Sequence, residues 1–300
     1  MNAIIVKDLV KRYGRFTAVQ DVSFEVASGQ VTALLGPNGA GKTTTIEILE
    51  GFLAPTAGRV QVLGANPRTG GRAWRAKIGL ILQNTSLDAQ LTVVETLTMF
   101  GTLYPDARRV AEVLDLIELA PDARTKIGAL SGGQRRRVDL GLAIIGRPEM
   151  LFLDEPTTGL DPEARRRLWS VIENLTAGGS TVLLTTHYMD EAQHLASRII
   201  VLADGRVVAD AAPDELRAMG GVPVIQFRLP PGSPALPSAL SQHVGGGVLT
   251  MPSADVSADL AMLVGWAREN YVDLTGLEVG PPSLEDAYLA LTREGALSHV

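Results

Sequence analysis

Two hydrophobic patterns follow one another at the start of the chain. Residues 4–26 alternate apolar and polar positions, which predicts antiparallel strands with one buried face. Residues 30–35 are almost continuously apolar, which predicts a strand buried on both faces of a parallel sheet. A glycine-rich turn comes next, and the pattern then predicts a helix over residues 42–52.

Strand-like and helical patterns alternate through the rest of the first 219 residues. The pattern over about residues 91–145 is mostly helical, and Asp204-Gly205 between two apolar runs indicates a hairpin. This alternation is typical of a parallel α/β sheet with helices packed on it. The strands predicted here are 58–63, 150–153, 181–185, 199–202 and 206–209, and a helix is predicted over 162–175.

Capping residues mark three of the predicted helix starts. Thr92 with Glu95 forms a capping box ahead of an apolar stripe. Asp106 is placed to cap the helix that follows. Asp161 as N-cap with Pro162 as first helical residue is a typical start for the helix that ends near residue 175.

The composition changes near Gly220-Gly221, after which Pro and Gly cluster. We therefore predict two domains, residues 1–219 and a small α+β domain over residues 220–300, with Gly220-Gly221 as a flexible joint. The strands predicted in the second domain are 222–229, 247–251 and 272–279, and its predicted helices are 256–270 and 283–292.

Composition excludes several classes of protein. The 300 residues contain no cysteine, so disulfides, thiolate metal sites and cysteine nucleophiles are absent. The net charge of −6 disfavours a general nucleic-acid binder. No apolar run approaches the roughly 20 residues that span a bilayer, because Arg147, Pro148 and Glu149 interrupt the longest candidate. We expect a chain that does not cross a membrane by itself and that resides in the cytoplasm.

A glycine-rich loop between a predicted strand and a helix matches the pattern G-x-x-x-x-G-K-[ST]. Its backbone N–H groups and the positive end of the following helix can cradle phosphates. Lys42 supplies a charge for the β- and γ-phosphates, and the hydroxyl of Thr43 suits Mg²⁺. The predicted nucleotide-binding residues are Gly36, Pro37, Asn38, Gly39, Ala40, Gly41, Lys42, Thr43 and Thr44.

Two acids and a histidine are predicted at the same edge of the sheet. Asp154 and Glu155 follow a buried apolar strand, and neighbouring strand residues point in opposite directions, so we expect different roles for them. Asp154 suits a Mg²⁺ contact, and Glu155 suits a general base that activates water. His187 follows the strand 181–185 and can sense a γ-phosphate.

The sequence Leu130-Ser131-Gly132-Gly133-Gln134 lies between these two sites. With the phosphate loop upstream and the Leu-Asp-Glu strand downstream, it resembles the signature of the ATP-binding subunits of ABC transporters. The resemblance covers about residues 3–217. It implies ATP and Mg²⁺ as ligands and a P-loop core that carries an antiparallel β subdomain and a helical subdomain over about residues 84–146.

The same resemblance assigns roles to four further positions. Tyr13 would stack on adenine, and Gln83 would touch Mg²⁺ and the attacking water. Asp161, in Gly159-Leu160-Asp161, would lie in the loop that crosses a dimer interface, and His187 would be the switch histidine.

Ser131 can cap a helix whose glycines, Gly132 and Gly133, leave N–H groups open to an anion. The phosphate loop already holds the phosphates of the chain's own nucleotide. This second anion site is therefore expected to face the nucleotide that a partner chain binds. The resemblance implies a head-to-tail homodimer with two ATP molecules between each phosphate loop and the opposing Ser131–Gln134 segment. The run Arg135-Arg136-Arg137 is interpreted as solvated or interfacial charge on this helix, in preference to a nucleic-acid contact.

The tail from Pro282 to Thr292 resembles the end of antibiotic and multidrug exporter ATPases of the daunorubicin-resistance type, although Ser283 can equally be a simple helix cap.

Our leading hypothesis is an exporter ATPase docked, through about residues 87–91, on a separate permease at the inner face of the plasma membrane. Export of lipid, polysaccharide or ions is an alternative. A nucleic-acid or ribosome ATPase is disfavoured by the acidic balance, and a P-loop kinase or GTPase by the signature. For residues 220–300 we expect a regulatory or dimer-stabilising role.

Overall fold

The computed structural model describes residues 1–81, 87–238, 240, 243–245 and 248–297, with the side chains of 243–245 and 293–297 left aside. The chain forms two compact units. One contains residues 1–213 and the end of the chain from Gly295, and the other contains residues 214–294. In the described residues no helix is long and apolar enough to cross a membrane.

An antiparallel sheet opens the first unit, as the alternating pattern predicts. Its strands are ordered β2-β1-β4, and β1 pairs with both neighbours in antiparallel register. The alternate apolar residues of β1 and β2 face inward, so one face of the sheet is buried and the other is solvated. The strands are β1 (Asn2–Tyr13), β2 (Phe16–Ala27) and β4 (Ala57–Val62).

A six-stranded sheet forms the centre of the first unit, in the order β5-β6-β7-β3-β8-β9. Neighbouring strands are parallel except β9, which pairs antiparallel with β8. Strands β3 and β7 are buried at every position, which explains why their sequences contain only apolar residues and threonine. The strands are β3 (Val31–Leu35), β5 (Ile78–Ile81), β6 (Met150–Asp154), β7 (Thr181–Thr185), β8 (Arg198–Ala203) and β9 (Arg206–Ala211).

Helices of the first unit include the predicted helical segment between β5 and β6. Thr92 and Glu95 form the capping box expected of them, and Asp161 caps the helix at Pro162 through the N–H groups of Glu163 and Ala164. The helices are α1 (Lys42–Leu49), α2 (Gly71–Arg75), α3 (Val93–Gly101), α4 (Val110–Leu116), α5 (Gly132–Ile144), α6 (Pro162–Ala177) and α7 (Met189–Leu195).

The prediction that Asp106 caps a helix is wrong. The next helix, α4, begins at Val110 with Arg109 at its N-cap and no side-chain cap. The strand β5 and the short helices α2 and α7 were not predicted. Their apolar runs are too short to give a periodic pattern. β5 pairs with β6, Trp74 of α2 packs in the core that the antiparallel sheet also lines, and α7 contacts α6.

The second unit contains a four-stranded antiparallel sheet in the order β11-β12-β10-β13. Its core is formed by Ile225, Phe227, Leu240, Met251 and Leu263. Gly220, predicted as part of a flexible joint, packs closely on the helix α10: a Cβ there would lie 2.6 Å from Ala287 Cα. The elements are α8 (Pro213–Met219), β10 (Val224–Arg228), β11 (His243–Gly245), β12 (Val248–Pro252), α9 (Val256–Glu269), β13 (Thr275–Gly280) and α10 (Leu284–Leu297).

Candidate active site

The carboxyl ends of three neighbouring strands carry most of the predicted site residues. Strand β7 lies between β3 and β6 in the sheet. Because these strands are parallel, the loop 36–43 after β3, the acids 154–155 at the end of β6 and His187 after β7 emerge at one edge. Topology therefore brings together residues from Gly36 to His187, which lie far apart in the sequence.

Glycine is required at two positions of the loop 36–43. A Cβ on Gly36 would lie 2.3 Å from the carbonyl oxygen of Leu202 on β8. A Cβ on Gly41, whose φ is +95°, would lie 2.5 Å from the carbonyl oxygen of Ala18 on β2. The loop is thus pressed against two backbones. Gly41 is also the N-cap of α1, so the first N–H groups of this helix have no side-chain cap.

Lys42 lies at the entrance to α1. Its Nζ donates to the carbonyl oxygens of Gly36, at 2.6 Å, and Pro37, at 3.0 Å. Burial lowers the pKa of Lys42, while the charges of Glu155 and Asp154 act in the opposite direction. The neighbouring Thr43 is exposed. An open helix N-terminus, a partly desolvated ammonium and an exposed hydroxyl fit a phosphate group with Mg²⁺.

Asp154 and Glu155 form a turn in which each carboxylate has its own partners. The hydroxyl of Thr185 donates to Asp154 Oδ1. Glu155 Oε1 lies 3.2 Å from His187 Nδ1, and the hydroxyl of Thr158 donates to its Oε2 at 3.2 Å. The Glu155 side chain is 16% exposed and that of His187 is 53% exposed. A carboxylate held this way keeps access to water while its orientation is fixed.

Of the two interpretations of the arginine run, solvated or interfacial charge, the solvated one is wrong for two of its three members. Arg136 and Arg137 have side chains that are only 12% and 11% exposed. Arg136 donates to three backbone carbonyls of the turn after β6. Thr185, which holds Asp154, was also missed. A polar residue at the end of an otherwise apolar strand was the available signal for it.

Several predicted site residues lie away from this cluster in the described part of the chain. Tyr13 is exposed at the end of β1, with Lys11 Nζ 5.0 Å from its ring centre. Ser131 caps α5 in a capping box with Gln134, which also donates to Asp122. Exposed Gly132 and partly exposed Gly133 follow Ser131. Asp161 is used as the α6 N-cap. Gln83 is outside the described residues.

A mainly apolar groove of about 290 Å³ lies between the sheet and the helical segment. Glu50, at the C-terminal end of α1, and Asp139 of α5 are the acidic residues that line it. Burial, and then the charges of Asp154 and Glu47, raise the pKa of Glu50 to about 8. The apolar part of the lining includes Phe52, Trp74, Leu80, Leu87, Phe100 and Leu142.

Comparison with known proteins gives consistent matches over the whole chain. The family model described as ABC transporter matches residues 19–158. A second model, the C-terminal domain of ABC transporter domain-containing protein-like proteins, matches residues 223–283. The daunorubicin resistance ATP-binding protein DrrA3 of Streptomyces coeruleorubidus is 40% identical, over 97% of this chain and 96% of its own. The Nod factor export ATP-binding protein I of Rhizobium johnstonii is 39% identical, over 97% and 94%.

Solved structures give the same relationship over about 70% of the chain. A structure of an ATP-binding subunit of an ABC transporter has a TM-score of 0.66 at 30% identity and covers 72% of this chain and 92% of its own. A dimeric, post-hydrolysis ATP-binding cassette bound to ADP and Pi has a TM-score of 0.62 at 27% identity, over 70% and 98%.

Proposed function

Because this chain belongs to the ABC transporter family and is an ATPase of its ATP-binding cassette type, we propose that it powers export of a drug, antibiotic or other amphipathic compound through a separate permease. Two kinds of relative support this direction of transport. The names of these relatives refer to daunorubicin resistance and to Nod factor export. The observation that carries the hydrolytic part is the convergence of Lys42, Asp154, Glu155 and His187 at one sheet edge.

Nucleotide is held by the loop 36–43 with Thr44, and Tyr13 contacts the adenine. Loop N–H groups and Lys42 bind the phosphates, so Lys42 exchanges its two loop carbonyls for phosphate oxygens on binding. Thr43 and Asp154, with Gln83, would hold Mg²⁺, which neutralises phosphate charge.

Glu155 is the general base in this proposal. It takes a proton from a water molecule as the water oxygen attacks the γ-phosphorus, and the bond to the ADP oxygen breaks. His187 Nδ1, 3.2 Å from Glu155 Oε1, orients the carboxylate and leaves the other ring nitrogen for the γ-phosphate side. Phosphate binding thus comes from the loop after β3, whereas the base and its orienting histidine come from the ends of β6 and β7.

A second copy completes each site. The Ser131–Gln134 segment is exposed at Ser131 and Gly132, and its hydrogen bonds within the described residues lie inside its own helical segment. An N-terminus of this kind suits the nucleotide of a partner in a head-to-tail homodimer, with Asp161 near the interface. The likeness to a dimeric cassette supports this arrangement.

The permease docks at the groove that Leu87 lines, at the start of the segment 87–91. Asp88, Ala89 and Gln90 are exposed beside it. An apolar groove with an exposed rim is the type of surface that receives an amphipathic segment. This places the chain at the cytoplasmic face of the plasma membrane when it is assembled.

Site-specific photo-cross-linking at Ala89 tests this proposal. In cells that express the permease, Ala89 should capture a membrane protein, and Arg15, exposed on the antiparallel sheet, should not. Loss of the adduct when the permease is deleted would identify the partner. Adducts confined to ribosomal proteins or DNA would overturn the transport assignment and favour the alternative ATPase class.

Residues 220–300 have a regulatory or dimer-stabilising role in this proposal. Within this part, Leu284 and Ala287 of α10 are buried, and Ser283 and Asp286 cap its start. The described part holds no phosphate-loop motif. A chain that ends at Met219 should bind ATP with unchanged affinity and lose dimer stability or transport. A folded truncation with far weaker ATP binding would contradict this division of roles.

A further inference from the structure

Three consecutive arginines on α5 have three different environments. Arg135 is exposed and donates to the carbonyl of Leu130 in its own segment. Arg137 donates to the carbonyls of Ile117 and Glu118, which fastens α5 to the end of α4. Arg136 instead contacts the turn 154–156, which carries Glu155. The run therefore contains its own internal controls.

Arg136 forms a dense set of bonds with that turn. Its Nη2 donates to the carbonyl oxygens of Asp154, at 2.7 Å, and Glu155, at 2.9 Å, and its Nε donates to that of Pro156 at 2.9 Å. The planar guanidinium has its donors in fixed directions, so three successive carbonyls are held in one geometry. Asp139, three residues further along α5, has its Oδ2 3.8 Å from Arg136 Nη1, so the guanidinium also has an ion-pair partner on its own helix.

The turn needs such support because its backbone is strained. Glu155 has φ +46°, a conformation that side chains with a Cβ rarely adopt. Its N–H donates to the carbonyl and to the hydroxyl of Thr185, so β7 holds the N–H side of the turn. Arg136 holds the carbonyl side. The two anchors together determine where the Glu155 carboxylate points.

We propose that Arg136 is a positioning residue for ATP hydrolysis, which fixes the backbone of the turn 154–156 and so holds Glu155 in line with the attacking water. The inference rests on the proposed role of Glu155. It also connects the Ser131–Gln134 segment to Glu155, because Arg136 lies on the same helix as Ser131, little more than one helical turn after it. Movement of α5, when Ser131 meets the partner's nucleotide, is transmitted to the base through Arg136.

The test compares Arg136→Gln, Arg136→Lys and the control Arg135→Gln. Arg136→Gln should lower kcat at least tenfold, with the ATP dissociation constant within twofold of wild type, because the phosphate loop is untouched. Arg136→Lys keeps the charge and should recover part of kcat. Arg135→Gln should stay within twofold. The Hill coefficient for ATP should fall toward 1 in Arg136→Gln and stay unchanged in Arg135→Gln.

The variant Glu155→Gln separates this inference from the proposed function. In that background Arg136→Gln should change the residual rate less than twofold, since there is no base left to position. An equal loss in both backgrounds, or a wild-type kcat in Arg136→Gln, would overturn the inference. Near-normal hydrolysis by Glu155→Gln itself would overturn the proposed base instead. If Arg136→Gln does not fold, Arg136→Lys in both backgrounds gives the same comparison.

Discussion

The phosphate loop and the turn 154–156 lie at the same edge of one sheet and are built in opposite ways. The loop leaves its groups open: α1 has a glycine at its N-cap, Thr43 is exposed, and the hydrogen bonds of Lys42 within the described residues go to carbonyls of its own loop. The turn has its groups occupied, with Thr185 on the N–H side and Arg136 on the carbonyl side. A binding surface needs free donors, whereas a base needs a fixed direction.

The largest expected effect comes from removing the charge of Lys42 from the phosphate loop. Lys42→Ala should reduce ATP hydrolysis to background, because one buried charge on the phosphates contributes several kcal/mol, about 3 or more, to binding and catalysis. Steady-state phosphate release is the measurement. Lys77→Ala, which removes a half-exposed lysine paired with Glu149, should leave the rate unchanged. Near-normal activity in Lys42→Ala would show that the loop does not bind the phosphates.

Removal of the base should affect chemistry without binding. Glu155→Gln should slow hydrolysis by roughly 10²–10⁴-fold and leave ATP affinity intact. Because ATP then persists, the variant should dimerise with ATP, which size-exclusion chromatography can detect. Glu163→Gln, which removes an exposed partner of Arg167, serves as control. A variant that stays monomeric at high concentration with ATP would contradict the head-to-tail arrangement.

A single methyl group can sharpen the contrast within the loop. Gly41→Ala places a Cβ against the Ala18 carbonyl, so we expect about 10–100-fold weaker ATP binding from strain of about 1–3 kcal/mol. Gly39→Ala has a similarly positive φ of +85° but open space around its Cβ, and it should weaken binding less. Calorimetric titration with ATP compares them. Equal losses would mean that backbone conformation, and not the contact with β2, determines the loop.

The smallest effect concerns the far end of α1. The pKa of Glu50, raised to about 8 by burial and nearby acids, lies above its unfolded value of 4.5, so the folded state binds the proton more tightly. Protonated Glu50 therefore stabilises the folded state. This contribution is complete below about pH 4.5 and is lost as the pH rises through about 8. Glu50→Gln should remove this pH-dependent component of the free energy of unfolding, which is on the order of a few kcal/mol.

Denaturant unfolding of wild type and Glu50→Gln between pH 5.5 and 8.5 measures this component. Glu47→Gln, which removes a neighbouring charge but not the buried group, is the matched control. A stability difference between wild type and Glu50→Gln that does not change with pH would show that Glu50 does not titrate in this range.

Local patterns were enough to predict the strands that carry the site. Strand β7 was predicted at its observed bounds, and the capping box at Thr92 and the Asp161 cap formed as expected. These features depend on a few neighbouring residues. Arg136 could not be assigned from sequence, because a run of three arginines has the same local pattern on a solvated helix face. Only the contacts of α5 with the turn after β6 and with the end of α4 determine which of the three are largely buried.

The close approach of the phosphate loop to two carbonyl oxygens also determines which positions around the loop can accept amino-acid substitutions. The walls of the loop at Ala18 and Leu202 are main chain, so replacement of either side chain by another of similar size leaves the contacting oxygen in place. The glycines that face them have no such freedom. We therefore expect side-chain substitutions at Ala18 and Leu202 to leave the shape of the cradle between β2 and β8 unchanged.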